Sequence, residues 1–569
     1  MTPNDRVREL LDTYAGPDAC AADLLCDRHP ADAVAFTFIE PDLTAHDLTY
    51  ADLRERSERA ARALADLGVG PGDRVATLMA KSENLVITLM GIWRLGAAHV
   101  PLFTAFAPPA IALRLTASAT KVVVVDVGQR AKLIPSADIP ADAPWRVVVS
   151  ADDTAVRAQA GTAVDTAAGT ATGTATGTAA GTATGTDDLR LTDLLDRADP
   201  GLPAARLGGD ATLVHIFTSG TTGAPKGVLV PVRALAAFQT YLEYGLDVRA
   251  DDVFWNAADP GWAYGLYYGI LGPLVSGRRS ILLHAAFEPA LTWRLLKKFG
   301  VTNFAAAPTV YRTLRAADAD APLGLPLRVC SSAGEPLNPE MVSWAERVLG
   351  VAIRDHYGQT ELGMAIVNGW HDDVRRELKP GSMGQPMPGW GAEVLLPDRD
   401  EVAPAGTSGR VVIDLLASPL MWFSAYAGDA EKSAERYSAD GRWYYTGDAG
   451  SRDADGDFFF SARDDDVIIM AGYRIGPFEV ESVLITHSDV VECAVVGVPD
   501  ELRGEVIEAY VVLRADATAS PALATELQQL VKTRYAAHAY PRAVHFVPDL
   551  PKTPSSKIQR FRLRQRSVD

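Results

Sequence analysis

A run of hydroxyl groups and glycines, closed by a lysine, constrains this chain more than any other stretch. The run Thr218-Ser-Gly-Thr-Thr-Gly-Ala-Pro-Lys-Gly227 lies between two apolar segments with β character, Leu213–Phe217 and Val228–Val230. Glycines let a backbone turn tightly and bring its N–H groups close to an anion, and the hydroxyl groups and Lys226 add donors and a positive charge. The run therefore predicts a phosphate-binding loop between two strands rather than a surface linker.

The loop differs from that of the P-loop NTPases. Those proteins need Gly-x4-Gly-Lys-Ser/Thr, with a glycine directly before the lysine and a hydroxyl residue after it. Here Pro225 precedes Lys226 and Gly227 follows it. The sequence therefore predicts a phosphate loop of another kind.

Length and charge limit what the rest of the chain can be. A chain of 569 residues is too long for one hydrophobic core, so at least two domains are expected. The net charge of −18 argues against non-specific nucleic-acid binding. No run of about 20 apolar residues occurs, and the first residues lack the pattern of a signal peptide, so no membrane span is predicted. The four scattered cysteines favour small buried thiols in a reducing, cytoplasmic compartment.

Helix and strand patterns alternate in the first part of the chain. Ala51–Leu67 and Ser82–Leu95 carry apolar residues at helical spacing, and Ser82 is a candidate N-cap. Asp73–Met79 and Lys121–Asp126 are typical of buried strands. This alternation predicts a parallel sheet covered by helices.

Residues 160–186 repeat Ala, Gly and Thr with almost no large side chain. Such a segment buries too little apolar surface to offset the entropy of ordering it. It is predicted to be a disordered insertion in a surface loop.

Two stretches after the phosphate loop suggest nucleotide binding. Ser332–Asn338 and Asp355–Glu361 each follow a short apolar run and are predicted to be loops at strand ends, where open α/β sheets bind ligands. Tyr357 is suited to lie against a purine face, and Thr360 is suited to donate to a phosphate. Glu361 alone would be a solvated carboxylate, but in this context it is a candidate ligand for Mg²⁺, which takes few protein ligands.

Four further side chains each have a functional and an ordinary interpretation. Asp448 is either a ribose-binding carboxylate or a turn residue, and Arg463 either binds ribose or phosphate or forms a weak surface ion pair. Trp262 and Tyr264 lie in a predicted loop between glycines and are candidate pocket walls, the alternative being core packing. For Trp255, core packing is the prediction.

The composition changes from Val467 onward to a small α+β pattern. Phe478–Ile485 is predicted to be a helix, and Val491–Val496 and Ile507–Leu513 are predicted to be strands. These elements predict a second domain of about 100 residues. Near its end, Lys557 lies in a loop bounded by prolines.

Taken in order, these stretches resemble the motifs of the adenylate-forming superfamily, nearest the acetyl-CoA and medium-chain acyl-CoA synthetases. The match runs from the loop at Thr218 through Gly334-Glu-Pro336, Tyr357-Gly-Gln-Thr-Glu361 and Thr446-Gly-Asp448 to Lys557. It implies an α/β protein with a large N-terminal domain of layered β-sheets and helices (1–464) and a small, mobile α+β C-terminal domain (465–569).

The resemblance also implies roles for individual residues. Lys557, Thr218 and Glu361 would be catalytic, Asp465 would be the hinge, and Glu361 and Thr218 would hold Mg²⁺. The ATP and AMP site would comprise Thr218, Ser219, Gly220, Thr221, Thr222, Lys226, Gly334, Glu335, Pro336, Asp355, His356, Tyr357, Gly358, Gln359, Thr360, Asp448, Arg463 and Arg474. The acyl pocket would comprise Trp262, Ala263, Tyr264, Ala333 and Gly358. CoA would be bound by Ala471, Gly472, Tyr473 and Lys532.

The implied reaction joins a carboxylic acid to ATP as an acyl-adenylate and then transfers the acyl group to CoA. Acetate-specific relatives have a tryptophan at the position of Gly358, so the glycine predicts an open pocket for an acid longer than acetate: butyrate to octanoate, branched or aryl. Lys557 is also a predicted target of a lysine acetyltransferase, and the chain is expected to be a monomer or homodimer.

Two alternatives remain open at this point. A stand-alone adenylation enzyme would load an acyl or aminoacyl group onto a carrier protein, with Asp259 as the candidate partner for an α-ammonium group. A nucleotide-binding regulator without catalysis is the second, and the presence of Lys557, Glu361 and Arg474 argues against it.

Overall fold

The computed structural model describes residues 1–151, 188–218, 225–464, 466–470, 473–500, 503–552 and 558–568, without the side chains of Arg474 and 566–568. The predicted insertion at 160–186 lies outside these residues. So do Ser219, Gly220, Thr221, Thr222, Asp465, Ala471, Gly472 and Lys557.

The helices follow one another along the chain at these positions. They are α1 (Pro3–Tyr14), α2 (Tyr50–Asp66), α3 (Glu83–Arg94), α4 (Pro108–Ala117), α5 (Leu191–Arg197), α6 (Leu235–Thr240), α7 (Ala263–Gly265), α8 (Gly272–Ser276), α9 (Pro289–Lys298), α10 (Pro308–Ala316), α11 (Pro339–Val348), α12 (Ala430–Ala434), α13 (Pro477–Leu484), α14 (Pro521–Arg534) and α15 (Arg560–Val568). Short π-helical segments occur at Asp23–Asp27, Tyr241–Gly245 and Leu266–Leu271, and short 3₁₀ segments at Val127–Leu133, Val232–Ala234, Asp318–Asp320 and Leu415–Ala417.

The strands are β1 (Val34–Ile39), β2 (Ala45–Thr49), β3 (Arg74–Leu78), β4 (Ala98–Pro101), β5 (Val122–Asp126), β6 (Arg146–Ser150), β7 (Leu189–Arg190), β8 (Thr212–Phe217), β9 (Gly227–Pro231), β10 (Phe254–Asn256), β11 (Ser280–Leu283), β12 (Asn303–Ala306), β13 (Val329–Ala333), β14 (Ile353–Gln359), β15 (Gly363–Val367), β16 (Ser382–Pro386), β17 (Ala392–Leu395), β18 (Gly409–Asp414), β19 (Trp443–Arg452), β20 (Phe458–Arg463), β21 (Ile468–Met470), β22 (Tyr473–Ile475), β23 (Val490–Asp500), β24 (Gly504–Leu513) and β25 (Ala543–Phe546).

A largely parallel sheet in the order β7-β6-β5-β3-β4-β8-β9 forms one layer of the large domain. The predicted βαβ alternation is confirmed there, since β3, β4 and β5 pair in parallel. The Ser82 hydroxyl accepts the Leu85 N–H at 3.2 Å, as predicted for an N-cap of α3. Gly96 follows the helix with φ 74°, a conformation that glycine adopts without strain.

A second, larger sheet forms the other layer. Within the described residues it has thirteen strands in the order β17-β18-β19-β20-β16-β15-β14-β13-β12-β10-β11-β1-β2. Strands β10, β12, β13 and β14 are parallel, and from β14 onward the neighbours are antiparallel. The carboxyl ends of β13 and β14 are therefore the edge at which a ligand is expected.

The small domain is a separate sheet in the order β22-β21-β24-β23, with β25 parallel to β24. Helices α13 and α14 pack on it through a core that includes Val480, Val495 and Leu527. The predicted helix at Phe478–Ile485 and the two predicted strands are confirmed, although β23 is longer at both ends and β24 begins earlier, at Gly504.

Three local predictions are wrong. Residues 263–276, expected to begin as a loop, are helical throughout, and Trp262 is the N-cap residue of α7. Asp355–Gln359 belong to strand β14 rather than to a loop, and Ser332 and Ala333 are still in β13. In these places glycines and polar residues interrupt the apolar pattern that marks a helix or strand. Contacts formed in the folded chain stabilise the regular structure there.

The cysteines and Trp255 are buried, as the sequence predicts. All four cysteines are buried and free, and Trp255 is buried in the core as predicted. In the part of the chain that the structure describes, no helix is long and apolar enough to cross a membrane.

Candidate active site

A cleft of about 650 Å³ lies at the carboxyl ends of β13 and β14, where the small domain meets the large one. Phe478 of α13 packs against Phe460 of β20 with ring centroids 6.2 Å apart. Thirteen of the residues assigned from the sequence to the nucleotide site line this cleft, together with the candidate magnesium ligand Glu361. They are Thr218, Lys226, Gly334, Glu335, Pro336, Asp355, His356, Tyr357, Gly358, Gln359, Thr360, Glu361, Asp448 and Arg463.

The ends of the phosphate loop are joined at one side of the cleft. Strands β8 and β9 pair antiparallel up to Phe217 and Gly227. Beyond them, the Thr218 N–H donates to the Lys226 carbonyl at 2.9 Å, and the Lys226 N–H donates to the Thr218 hydroxyl at 3.4 Å. The pairing brings the Lys226 ammonium group to the cleft, 4.8 Å from the centre of the Tyr426 ring.

A carboxylate surrounded by donors forms the opposite end. Asp448, which is 3% exposed, accepts hydrogen bonds from the Tyr357 hydroxyl at 2.5 Å and the Gln359 amide at 2.7 Å. Its other oxygen lies 3.3 Å from a guanidinium nitrogen of Arg463, the residue opposite it in the β19–β20 pairing. A buried carboxylate of this kind can accept hydrogen bonds from a ribose diol.

Asp355 and the turn after β13 form the floor between these ends. One Asp355 oxygen accepts the Leu337 N–H at 3.1 Å, and the other is buried without a hydrogen-bond partner among the described residues. Burial raises the pKa of Asp355 to about 8. Glu335 is fixed by Arg312 at 2.8 Å and by the Thr309 hydroxyl at 3.2 Å. The turn is therefore held in place, and Asp355, which lines the cleft, keeps one buried oxygen without a partner among the described residues.

Glu361 occupies the turn between β14 and β15. It is 6% exposed, and one of its oxygens accepts the Tyr426 hydroxyl at 2.7 Å. The same tyrosine oxygen accepts the Arg436 Nε–H at 3.0 Å. Within the described residues, no group of three or more His, Cys, Asp or Glu side chains is arranged to hold a metal ion.

The small domain contributes residues that flank the predicted hinge and lysine. Ile558, directly after Lys557, and Asp466, directly after Asp465, both line the cleft. Arg560 donates to both oxygens of Glu481 at 2.7 and 2.9 Å and lies 3.5 Å from Asp466. The chain segments on either side of the predicted catalytic elements are thus held at the nucleotide cleft.

Comparison with known proteins identifies the family. The model described as "AMP-binding enzyme" matches residues 24–415, and the one described as "AMP-binding enzyme C-terminal domain" matches residues 479–557. The chain belongs to the AMP-binding enzyme family. The acetyl-coenzyme A synthetase of Bacillus subtilis (strain 168) is 34% identical over 517 residues, which are 90% of this chain and 84% of that protein.

Two solved structures are similar to this chain over nearly its whole length. The Brucella canis acyl-CoA synthetase is 40% identical with a TM-score of 0.72, covering 99% of this chain and 97% of that one. A benzoate CoA ligase from Burkholderia xenovorans LB400 is 28% identical with a TM-score of 0.78, covering 96% and 100%. The predicted fold class, with a large N-terminal and a small C-terminal domain, is confirmed.

The residues assigned to the acyl pocket separate into two groups in this AMP-binding enzyme. Gly358 lines the cleft, whereas Trp262, Ala263, Tyr264 and Ala333 do not. Trp262 packs against Phe103 with ring centroids 5.0 Å apart. Four of the five residues predicted to form the acyl pocket therefore do not line the cleft.

An aromatic network lies behind His356. The Tyr264 hydroxyl lies 3.3 Å from that of Tyr241, and the Tyr241 hydroxyl lies 2.7 Å from His356 Nδ1. Burial lowers the pKa of His356 to about 3, so its ring is neutral at pH 7. With Nε2 donating to the Asn368 carbonyl at 3.2 Å, Nδ1 accepts from the Tyr241 hydroxyl.

The structure gives a second, local reason for glycine at position 358, and the open acyl pocket stays a prediction. A Cβ atom at this position would lie 2.0 Å from the carbonyl oxygen of Gly363, at a bulge in the β14–β15 pairing. Glycine is needed there because the neighbouring backbone passes too close for a side chain. The absence of a side chain therefore does not by itself open an acyl pocket.

Lys532 and Tyr473, the described residues among those predicted to bind CoA, lie elsewhere on the small domain. The Lys532 ammonium group is 3.8 Å and the Arg542 guanidinium 3.9 Å from the centre of the Tyr540 ring. Tyr473, which is 54% exposed, stacks on His538 with centroids 4.2 Å apart. Neither Lys532 nor Tyr473 lines the cleft.

Sequence reasoning missed several residues of the cleft, among them Tyr426, Lys432 and Arg436. They come from a segment around α12 that pairs with the phosphate hairpin, where the Ala427 N–H donates to the Gly227 carbonyl at 2.8 Å. Nothing in the linear pattern separates these cations from ordinary surface ones. Only the folded chain brings them opposite Glu361.

Proposed function

We propose that this enzyme is an ATP-dependent acid–CoA ligase that acts through an acyl-adenylate. The observation that carries the proposal is the single cleft shared by Lys226, Glu361, Asp448 and the segment next to Lys557. Family membership and the similarity to acetyl-CoA and acyl-CoA synthetases support it.

The first step joins two anions. A carboxylate oxygen forms a bond to the α-phosphorus of ATP, and the bond from that phosphorus to the pyrophosphate oxygen breaks. Positioning and charge neutralisation govern such a reaction, because the nucleophile needs little activation. Lys226 and Arg463 supply positive charge at the two ends of the cleft, and Asp448 receives the ribose.

Lys557 would bring a further cation to the carboxylate and the α-phosphate. Its neighbour Ile558 lines the cleft, which supports this role. The division of the chain at 464/465, with Asp465 as hinge, is part of this proposal. Asp466 at the cleft supports it.

In the second step the CoA sulfur forms a bond to the acyl carbonyl carbon, the bond to the AMP oxygen breaks, and the thiol proton leaves to solvent. We assign Ala471, Gly472, Tyr473 and Lys532 to CoA binding and Arg474 to the adenylate phosphate. The exposed Tyr473 and the cations flanking Tyr540 support a site for an aromatic, anionic nucleotide.

The residues present fit Mg²⁺ bound together with ATP. Glu361 offers one carboxylate and Thr218 one hydroxyl oxygen, and Mg²⁺ characteristically takes its remaining ligands from water and substrate phosphates. Bound there, the ion would neutralise phosphate charge. The Tyr426 hydroxyl holds the Glu361 carboxylate in place for this role.

We propose an acyl substrate longer than acetate, such as a short-to-medium-chain, branched or aryl acid. The support is the similarity to a benzoate CoA ligase, and Trp262, Ala263, Tyr264 and Ala333, although outside the described cleft, remain the proposed lining of the acyl pocket. A carrier protein as final acceptor is the alternative. Its aminoacyl form has less support, because Asp259 does not line the described cleft and burial raises its pKa.

The test is a panel of acids from acetate to octanoate, with branched acids and benzoate, supplied with ATP, Mg²⁺ and CoA. Pyrophosphate, AMP and acyl-CoA are measured for each acid. Lys557→Ala should release pyrophosphate at least about 100-fold more slowly, since a positioned charge at a reacting centre supplies several kcal/mol, yet it should still convert preformed acyl-adenylate to thioester.

Lys552→Ala is the matched control. Lys552 lies five positions earlier in the same segment and pairs with Glu492 at 2.7 Å, so its loss should leave both half-reactions intact. Normal pyrophosphate release by Lys557→Ala would contradict the role of that lysine. Failure of every acid to yield acyl-CoA would contradict the proposed function.

A further inference from the structure

Arg436 is a cation of the cleft that the reaction as described leaves without a role. Its Nε donates to the Tyr426 hydroxyl at 3.0 Å, and its Nη1 donates to the carbonyls of Tyr445 and Thr446, each at 3.2 Å. All these acceptors are neutral. Among the described residues, no carboxylate forms an ion pair with this guanidinium, and Nη2 makes no hydrogen bond. The group is therefore fixed in place while its charge is unpaired.

Arg436 borders the same point in space as Arg463. A Cβ atom built on Gly447 would lie 2.9 Å from Arg436 Nη1 and 3.9 Å from Arg463 Nη2. Only Arg463 has a carboxylate partner here, Asp448 at 3.3 Å. Two like charges brought together in this way repel each other unless an anion lies between or beside them.

The cationic region continues toward the phosphate loop. Burial lowers the pKa of Lys226, and the charges of Arg436 and Lys432 lower it further, while Glu361 and Glu435 act in the opposite direction. Arg436 therefore acts electrostatically on Lys226, the lysine that closes the loop, and approaches Arg463 at Gly447.

We infer that Arg436 binds the pyrophosphate portion of ATP and the pyrophosphate that leaves, a role that rests on the proposed adenylate-forming reaction. Arginine suits phosphate because its planar fork presents parallel N–H donors. Three neutral acceptors hold the guanidinium before the substrate arrives. Charge that develops on the leaving group is then met without reorganisation of the site.

Tyr426 connects this arginine to the candidate magnesium ligand. Its hydroxyl oxygen accepts from Arg436 and its proton is donated to Glu361. One side chain thus fixes both the cation and the carboxylate that face the same phosphates. Tyr426→Phe should weaken pyrophosphate binding less than loss of Arg436 does, because the guanidinium retains its two carbonyl acceptors.

The experiment titrates the full chain with inorganic pyrophosphate and, separately, with AMP, both with Mg²⁺, by calorimetry. Arg436→Gln should weaken pyrophosphate binding roughly 10- to 100-fold, the effect of losing a charge-assisted hydrogen bond. AMP binding should change less than about threefold, since AMP lacks the phosphates in contact. Arg436→Lys should recover part of the pyrophosphate affinity.

Arg354→Gln is the matched control for a change in folding alone. Arg354 is also a buried arginine whose guanidinium donates to backbone carbonyls, those of Gly369 at 3.0 Å and Arg376 at 3.1 Å. It lies outside the cleft, stacked over Trp370 at 4.7 Å. Its loss should lower the melting temperature without changing pyrophosphate affinity.

Three results would overturn the inference. Unchanged pyrophosphate affinity in Arg436→Gln would show that Arg436 does not contact pyrophosphate. An equal loss of affinity for AMP and pyrophosphate would show that Arg436 contacts the nucleoside monophosphate instead. Absence of pyrophosphate binding by the unmodified chain would also count against it. If the unmodified enzyme makes acyl-CoA while Arg436→Gln keeps its pyrophosphate affinity, only this inference fails and the proposed function stands.

Discussion

Residue 358 is a glycine, and its lack of a side chain allows strands β14 and β15 to pass close to each other at the cleft. A Cβ atom there would overlap the Gly363 carbonyl at 2.0 Å. We predict that Gly358→Ala lowers the free energy of unfolding by about 3 kcal/mol, the upper range of overpacking effects. It should also lower kcat/KM for every acid alike, measured by thermal unfolding and the acid panel.

Gly128→Ala is the control for this prediction. Gly128 is exposed in a 3₁₀ segment with nothing within 4 Å of its built Cβ, so the substitution should change little. Gly358→Trp offers the sharper contrast. A stable variant that gains preference for acetate would restore the explanation in which this position closes the acyl pocket.

At the scale of single residues, the sequence identifies charged and hydroxyl side chains of the site but does not show which side chains they contact. Asp448 and Arg463 were predicted individually, and their direct pairing across β19 and β20 emerges only from the fold. Arg436 and Tyr426 were missed because a cation and an aromatic ring in a polar segment are ordinary until folding sets them opposite Glu361.

At the scale of elements, predictions succeeded where the hydrophobic period was undisturbed. Helix α3 has a serine cap and an apolar run, and it was found almost to the residue. The helical stretch 263–276 was missed because glycines and aromatic residues interrupt the helical pattern. Strand β14 was taken for a loop because its side chains face a polar cleft rather than a core, which removes the apolar alternation that marks a strand.

The helix α15 provides a prediction at this scale. Its first residue, Arg560, joins Glu481 of α13 to Asp466 beside the predicted hinge, so it anchors the segment that follows Lys557. Arg560→Gln would leave Glu481 without its cation, whereas Asp466 would keep its ion pair with Arg564. Breaking such a partly buried pair should destabilise the small domain by about 3 kcal/mol. Hydrogen exchange of α13 and β23 should report the loss.

The exposed Arg562 is the comparison for Arg560. Arg562→Gln removes the same charge from the same helix without touching Glu481 or Asp466, so exchange should remain normal. Pyrophosphate release should slow in Arg560→Gln more than thioester formation from added acyl-adenylate. Equal hydrogen exchange in the two variants would show that the contacts of Arg560 do not stabilise the small domain.

At the scale of the whole molecule, the sequence predicted two domains and the catalytic residues that each contributes. It could not predict their mutual orientation, because few polar contacts set that orientation. Asn338 in the large domain donates to the Ser482 hydroxyl in α13 at 3.4 Å, and Phe460 packs on Phe478. Contacts this sparse are compatible with a small domain that can leave its position.

This orientation has Ile558 at the nucleotide cleft, as the proposed first half-reaction requires. We therefore predict that fixing it separates the two steps. Cysteines introduced together at Asn338 and Ser482 can be joined by a short bis-maleimide, because all four native cysteines are buried. The joined enzyme should release about one equivalent of pyrophosphate, retain acyl-adenylate, and form acyl-CoA at least about 100-fold more slowly, since the CoA-binding face cannot reach the intermediate.

Each single-cysteine variant treated with the same reagent carries the modification without the bridge, and it should complete both steps. This comparison separates immobilisation from chemical damage at the interface. Adenylate added from outside should remain unused by the joined enzyme and be consumed by the controls. Acyl-CoA formation at the normal rate by the joined enzyme would mean that both steps occur in one orientation, and the small domain would then be a fixed wall of the cleft rather than a moving one.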